Sequence, residues 1–282
     1  MGVKYFGQFL IERGVVTADQ LLKAVDLQAE KNLDFGGACV KLGLLDARQA
    51  QGLNDKQRFT DKRIGELARD EGLLREAQVT EVLTYQRNSH LHIGEALVQL
   101  GHISPVALES ELAAFKADQA IYEVEKLVLP AGTEHAEAIS AMVDLGRKLL
   151  LRIAKINSKV GVPRVHQGET LPGQCMVSLT MHSGSELEAY LELPLLLAHE
   201  VNRGMLGIGP KNPVPDDAVD AVKEFLNVVA GNVCAKLAQS GKTYEITPPK
   251  HHPGGVRHGH HQLLVCPLQA ADREIIFAFA PR

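Results

Sequence analysis

The sequence predicts two domains, an all-α helical repeat module followed by an α+β domain with an antiparallel sheet. Three observations support this prediction. The chain has 282 residues, enough for two domains with a core each. Pairs of glycines recur every 29 residues in its N-terminal part. After about residue 157, the apolar pattern changes from helical spacing to the alternation of strands.

The repeat is marked by two glycine positions seven residues apart. The first position holds Gly7, Gly36, Gly65 and Gly94, and the second holds Gly14, Gly43, Gly72 and Gly101. Each second glycine follows residues with helical spacing, where a left-handed cap favours glycine. A capping residue such as Thr17 or Asp46 then precedes a longer helical stretch. Each unit is therefore predicted to be a short helix, a turn and a longer helix.

The second domain is predicted from the order of its patterns. A long amphipathic helix is expected from residue 136 to about 157, and alternating runs at 175–181 and 186–193 predict a hairpin around Gly184. Helices are predicted at 195–206 and at about 217–239, and two further strands at 262–267 and 274–280. This order predicts helices on one face of an antiparallel sheet. We place the domains at 1–118 and 136–282, with a linker at 119–135 that starts with a short helix at 121–127.

Composition and charge exclude several classes of protein. Hydrophobic residues make up 45% and charged residues 23%, as in a globular protein. The net charge is −4, without the basic excess of a nucleic-acid binder. No apolar run is long enough for a membrane helix and no signal peptide is recognised, so we expect a cytoplasmic protein without membrane insertion. Four separated cysteines predict free thiols rather than disulfides or a zinc finger.

Residues 63–86, RIGELARDEGLLREAQVTEVLTYQ, resemble a 24-residue motif of the N-terminal domain of type II secretion and type IV pilus ATPases, the GspE/MshE N-terminal family. Residues 5–28 and 34–57 match more loosely, and the fourth unit has Phe115 in place of the final glutamine. Five residues separate successive units, which is the spacer of the tandem form that binds cyclic di-GMP in that family. The resemblance therefore implies a GspE/MshE-like module with cyclic di-GMP as its ligand.

The ligand narrows the choice of binding residues. Cyclic di-GMP presents two phosphates and two guanines, which arginine can bind by bidentate hydrogen bonds or stacking. Only the third unit has arginine beside the first glycine. We therefore expect a site built from Arg63 and Gly65, with His92 and Gly94 of the fourth unit. In the alternative, the glycines and apolar residues only build the fold and Arg63 is a solvated surface charge.

A ridge of polar residues is predicted on the helix at 217–239. At about 100° per residue, Asp220, Glu224 and Asn227 fall on one side of this helix. The opposite side carries the apolar stripe Val222, Phe225, Leu226, Val229 and Val233. An exposed polar face is ordinary in itself, so the spacing alone does not establish a site.

Asp220-x3-Glu224-x2-Asn227, followed by Pro248-Pro249, resembles the D/S-x3-E-x2-N…P signature of the CheC/CheX/FliY family of CheY phosphatases. The proline lies one residue earlier than is usual in the family. The first long helix of the domain has Asp144 but no E-x-x-N, so the resemblance implies one site per domain, as in CheX. A CheX-like chemotaxis phosphatase that forms a homodimer through its sheet is therefore expected.

The resemblance also assigns the chemistry. The family substrate is an aspartyl phosphate on the receiver domain of a CheY-like response regulator in two-component signalling. Its hydrolysis needs a water placed in line with the leaving carboxylate. Asn227 is expected to hold this water, Glu224 to pair with the receiver's lysine, and Asp220 to support docking. The receiver supplies its own Mg²⁺, so no metal or cofactor is expected on this chain.

A different class of function fits the same sequence. The chain could be a non-catalytic adaptor that docks receivers or type II secretion and type IV pilus machinery. The presence of both Glu224 and Asn227 favours the enzyme. The incomplete match of the repeats to the family motif favours the adaptor for the N-terminal half. Five histidines within 251–261 are interpreted as a mobile loop between strands rather than as a metal site.

Overall fold

The structure is a computed structural model that describes residues 5–119, 127–166, 168, 170–208, 217–257, 262–271 and 273–281. The chain divides into two compact units, called here the N-terminal unit (within 5–119) and the C-terminal unit (from 127 onward). The first is all-helical and the second is α+β with an antiparallel sheet, which confirms the predicted fold class. The predicted helix at 121–127 lies almost entirely outside the described residues.

The N-terminal unit contains four repeats of a short helix and a longer one. The helices are α1 (Phe6–Glu12), α2 (Ala18–Lys31), α3 (Phe35–Lys41), α4 (Ala47–Gln57), α5 (Ile64–Asp70), α6 (Glu76–Ser89), α7 (Ile93–Gln99) and α8 (Pro105–Gln119). The four second glycines have φ between +67° and +71°. They end the short helices because this left-handed conformation carries no steric cost for glycine. Thr17 caps α2 through its side chain, which accepts a hydrogen bond from the Gln20 N–H at 3.2 Å.

The repeats pack in two pairs. One apolar core joins the second repeat (α3, α4) to the third (α5, α6), and another joins the first (α1, α2) to the fourth (α7, α8). Within each pair, the short helix of one repeat packs against the long helix of the other, as α3 does against α6 and α1 against α8. The first repeat therefore finds its partner at the far end of the module.

The glutamine that ends the repeat motif joins paired repeats. Its side chain donates a hydrogen bond to a backbone carbonyl of the partner repeat, from Gln86 Nε2 to Leu33 O at 3.0 Å and from Gln28 Nε2 to Leu91 O at 2.9 Å. In the fourth repeat Phe115 takes this position, and its ring centroid lies 5.3 Å from those of Phe6 and Phe9. The motif glutamine thus has a structural role in pairing.

The C-terminal unit contains three helices and two sheets in its described residues. Its helices are α9 (Ala136–Ala154), α10 (Leu195–Leu206) and α11 (Ala218–Ala238). Its strands are β1 (Lys159–Val160), β2 (Arg164–His166), β3 (Thr170–Leu171), β4 (Val177–Ser183), β5 (Ser185–Glu192), β6 (Glu245–Ile246), β7 (Lys250–His251), β8 (Val256–Arg257), β9 (Leu263–Ala270) and β10 (Arg273–Pro281). The four long strands were predicted. The short ones were not, because two or three residues carry no measurable alternation.

The main sheet runs in the order β1-β9-β10-β5-β4-β6, with β2 also on β9 and β7 on β4, and every pair is antiparallel. One face packs against α9, α10 and α11 in the principal core. The other face is covered by a smaller cluster that includes Leu171 and Val256 of the two-stranded sheet β3–β8. The helices therefore lie on one face, as predicted.

Two glycines allow the helices to approach their neighbours closely. A Cβ atom on Gly146 of α9 would lie 2.4 Å from the ring of Phe277 in β10. A Cβ on Gly204 of α10 would lie 2.0 Å from the carbonyl oxygen of Ile153 in α9. The backbone crossing of α9 and α10 therefore requires glycine at position 204.

Two predictions from composition can be compared with the structure. All four cysteines are free thiols. Burial raises the pKa of Cys39 to about 11 and that of Cys266 to about 12, so neither forms a reactive thiolate at neutral pH. Among the helices that the structure describes, none combines the length and the apolar character needed to cross a membrane.

Candidate functional site on the ridge of helix α11

Helix α11 is anchored by the apolar stripe that the sequence predicts. The buried residues of this stripe are Val222, Phe225, Leu226, Val229 and Val233. Asp217 is the N-cap residue, but its side chain makes no capping hydrogen bond. The other predicted cap, Asp216, lies outside the described residues. Among the residues that the structure describes, the buried stripe rather than a side-chain cap therefore holds this helix in place.

The three predicted site residues lie on the opposite side of α11, which we call the ridge (Asp220, Glu224 and Asn227). Asp220 and Glu224 are exposed, and Asn227 is partly buried. Gly231 lies one turn beyond Asn227, and a Cβ added there would meet no atom within 4 Å. A partner can therefore approach the ridge without meeting a neighbouring element at that end.

Asp220 is engaged within its own helix. Lys223 Nζ lies 2.9 Å from Asp220 Oδ1, an i,i+3 ion pair in the first turns of α11. The Asp220 side chain is 74% exposed and that of Lys223 33%. Sequence reasoning missed Lys223, although its spacing from Asp220 is the signal that predicts such a pair.

Glu224 and Asn227 have unengaged side chains. Within the described part of the chain, neither has a hydrogen-bond or ion-pair partner. Asn232 on the same helix differs, since its Nδ2 donates to the Val228 carbonyl at 2.8 Å. The Glu224 carboxylate can thus accept a cation, and the Asn227 amide can both donate to and accept from a water without changing protonation.

Helix α9 runs beside α11 and carries no second site of this type. Asp144, the residue expected there without an E-x-x-N pattern, pairs with Lys148 at 2.8 Å. A groove of about 520 Å³ between the two helices is lined by Ser140 and Asp144 of α9 and by Lys236 of α11, among others. The signature prolines, 248–249, lie in the connection between β6 and β7 beside β4.

The histidine-rich segment is partly ordered by the sheet. His251 belongs to β7, and His252 Nε2 is hydrogen-bonded to Ser178 Oγ at 2.8 Å. Burial lowers the pKa of His252. Residues 258–261 lie outside the described residues, so the predicted loop is not described in full. Among the residues that the structure describes, no group of three or more His, Cys, Asp or Glu side chains could hold a metal ion.

In the N-terminal unit, Arg63 and Gly65 line one groove of about 260 Å³. Its walls also include Phe35 from the second repeat and Arg69, which pairs with Glu76. His92 and Gly94 are not among the described residues that line this groove. The partner of the Arg63 repeat is thus the second repeat, because the fourth repeat packs with the first.

The first glycine of each repeat has a packing role. A Cβ on Gly65 would lie 2.7 Å from a methyl carbon of Val79, and one on Gly94 would lie 2.5 Å from a methyl carbon of Leu108. In each case the short helix rests on the long helix of its own repeat. Helix packing alone therefore explains why position 94 holds glycine, whether or not Gly94 contributes to a ligand site.

Comparison with known protein families finds a match within the C-terminal unit. Residues 175–267 match the model of a family described as "Chemotaxis phosphatase CheX", a stretch shorter than half of the chain that includes the ridge and both signature prolines. No curated protein matches the chain. The C-terminal unit is therefore CheX-like, whereas the resemblance of the repeats to the GspE/MshE N-terminal family stays a prediction.

Three solved structures that are similar to this chain are a CheX, a CheX–CheY complex and a FliY. CheX from Desulfovibrio desulfuricans is 21% identical, with 52% of this chain and 99% of that chain covered and a TM-score of 0.45. A CheX–CheY–BeF3–Mg²⁺ complex from Borrelia burgdorferi is 20% identical, covering 51% and 97%, with a TM-score of 0.41. FliY from Thermotoga maritima is 18% identical, covering 54% and 90%, with a TM-score of 0.40.

Proposed function

We propose that the CheX-like C-terminal unit hydrolyses the aspartyl phosphate on a receiver domain of a CheY-like response regulator. The observation that carries the proposal is the pair of unengaged side chains on the ridge, Glu224 and Asn227, one turn apart and accessible to a partner. The family match over residues 175–267 supports the same assignment.

The proposed chemistry divides the work between the two side chains. Asn227 orients a water in line with the phosphorus–oxygen bond to the leaving carboxylate, and Glu224 pairs with a lysine of the receiver to fix the docking orientation. Correct placement of the water is the main requirement, because phosphoryl transfer is catalysed chiefly by positioning and charge neutralisation. The receiver brings its own Mg²⁺, so the proposal places no metal or cofactor on this chain.

The direct test measures dephosphorylation of receivers from the same organism after loading with a small phosphodonor. The wild-type chain should accelerate loss of phosphate, and Asn227→Ala should abolish the acceleration while binding persists. Glu224→Lys should weaken binding instead, since the charge that attracts the receiver's lysine is reversed. Asn232→Ala is the matched control, because the Asn232 amide is already bonded to the Val228 carbonyl. Full activity of Asn227→Ala would show the assignment to be wrong.

The same experiment distinguishes the non-catalytic adaptor from the phosphatase. A wild-type chain that binds phosphorylated receivers without accelerating dephosphorylation would be an adaptor. Binding to type II secretion or type IV pilus components, in place of receivers, would support the second form of that alternative.

We also propose cyclic di-GMP as a ligand of the N-terminal unit, in the groove of Arg63, Gly65 and Phe35. Support comes from the exposed guanidinium of Arg63, which can bind a phosphate by bidentate hydrogen bonds or stack on a guanine, while the buried ring of Phe35 forms part of the groove wall. In this groove the second repeat contributes Phe35, whereas His92 and Gly94, which the sequence suggested, lie in the repeat that packs with the first.

We also propose a homodimer, which rests on the resemblance to the CheC/CheX/FliY family. The edges of the main sheet are covered by strands of two or three residues, and short edge strands disfavour edge-to-edge pairing. We therefore expect a dimer contact away from these edges. Light scattering that gives the 30.7 kDa monomer mass at all concentrations would exclude the dimer.

A further inference from the structure

Four polar side chains occupy two successive turns of α11: Asp220, Lys223, Glu224 and Asn227. Lys223 follows Asp220 by three residues and precedes Asn227 by four, and residues at these spacings are neighbours on a helix surface. In the structure, the Lys223 ammonium lies 2.9 Å from Asp220 Oδ1. It is therefore held on the N-terminal side of the ridge.

Two other polar groups lie within a turn of Lys223. They are the Glu224 carboxylate and the Asn227 amide, and neither has a partner within the described part of the chain. A lysine that loses its acidic partner keeps its charge and its flexible four-carbon stem, so it can reach the Asn227 side chain four residues along the helix. An ammonium on the Asn227 oxygen would take the acceptor that a water needs.

We infer that Asp220 is a positioning residue, which keeps Lys223 away from Asn227. The inference rests on the proposed phosphatase function. Asp220 acts only through Lys223 and contacts neither the water nor the phosphate. Its carboxylate is largely exposed, so its removal leaves the buried stripe of α11 unchanged.

The test is a set of variants assayed for receiver dephosphorylation. Asp220→Ala should slow the reaction about two- to fivefold, the range by which an exposed ion pair shifts an equilibrium. Asp220→Glu, which keeps the charge, should retain the wild-type rate. The double variant Asp220→Ala/Lys223→Ala should recover the rate of Lys223→Ala alone, because the lysine that interferes is gone. A structural defect from Asp220→Ala would not be rescued in this way.

The matched control is the Asp19–Lys23 pair in the first turns of α2, whose charged atoms lie 2.7 Å apart. Asp19→Ala removes the same kind of exposed helical ion pair in the other unit, and it should leave the rate unchanged. An Asp220→Ala variant as fast as the wild type would overturn the inference. A double variant as slow as Asp220→Ala would also overturn it.

A second readout separates this inference from the proposed function. The side-chain amide resonances of Asn227 should shift in Asp220→Ala and return in the double variant. This comparison needs no activity, so it decides the placement of Lys223 even if the wild-type chain accelerates no receiver. Unchanged Asn227 resonances in Asp220→Ala would overturn the inference, whereas an inactive wild type would overturn the proposed function.

Discussion

The side-chain amide of Asn32 forms two hydrogen bonds with the backbone of Leu91. The Leu91 N–H donates to Asn32 Oδ1 at 2.7 Å, and Asn32 Nδ2 donates to the Leu91 carbonyl at 2.9 Å. Both residues lie between repeats, Asn32 after the first and Leu91 before the fourth. This contact therefore joins the two repeats that are farthest apart in the sequence.

Asn32→Ala should destabilise the N-terminal unit. The partly buried Leu91 N–H would lose its hydrogen-bond partner, and a buried polar group left unsatisfied costs about 1–3 kcal/mol, whereas the Leu91 carbonyl would keep its bond from Gln28 Nε2. Chemical unfolding and hydrogen exchange at the Leu91 amide both measure the effect. Asn88→Ala, at an exposed position in the last turn of α6, is the control. Equal Leu91 protection in the two variants would contradict the prediction.

Gly204→Ala should destabilise the C-terminal unit, because its new Cβ would collide with the Ile153 carbonyl at 2.0 Å. A backbone atom cannot rotate away, so the cost should lie at the upper end of the about 1–3 kcal/mol of overpacking. Gly231→Ala, where a Cβ meets open space, should instead stabilise α11 by about 0.5–1 kcal/mol. Thermal unfolding of both variants checks the opposite signs, and two changes of the same sign would refute the argument.

Glu192 should make the stability of the C-terminal unit depend on pH. Burial raises the pKa of its carboxyl to about 7, although the backbone N–H groups of Gln174 and Cys175 donate to it. The folded-state pKa of Glu192 lies above its unfolded value. Its contribution to the free energy of unfolding is therefore fully present below about pH 4.5 and is lost as the pH rises to about 7, which lowers that free energy by about 3 kcal/mol.

Glu192→Gln removes this titration. Urea unfolding at several pH values should show the variant gaining stability relative to the wild type between about pH 4.5 and 7. If the two stability curves run parallel across this range, Glu192 does not titrate there and the prediction is wrong.

Arg63→Ala should weaken cyclic di-GMP binding to the full chain. Loss of a charged hydrogen-bonding group costs about 1.5–3 kcal/mol, which is roughly 10- to 100-fold in affinity. Arg48→Ala is the matched control, since Arg48 is another exposed arginine of the N-terminal unit. Arg13 is unsuitable for this purpose because it pairs with Glu111 at 2.7 Å. If calorimetry detects no heat of binding for the wild-type chain at high-micromolar cyclic di-GMP, the proposed site is wrong.

The sequence by itself determined the features that depend on local periodicity. The left-handed conformation of Gly14 and its equivalents follows from their place after a short helical stretch, because glycine alone tolerates it without cost. The side of α11 that carries Glu224 and Asn227 follows from the helical repeat of 3.6 residues. Both are set by neighbours in the chain, so they can be read without knowing the fold.

Only the tertiary structure decided which distant segments meet. It pairs the first repeat with the fourth and places Phe35 rather than His92 beside Arg63, because a helix's apolar stripe specifies burial but not the partner. It also explains why position 204 holds glycine, since a Cβ there would collide with the carbonyl of Ile153, 51 residues earlier in the sequence.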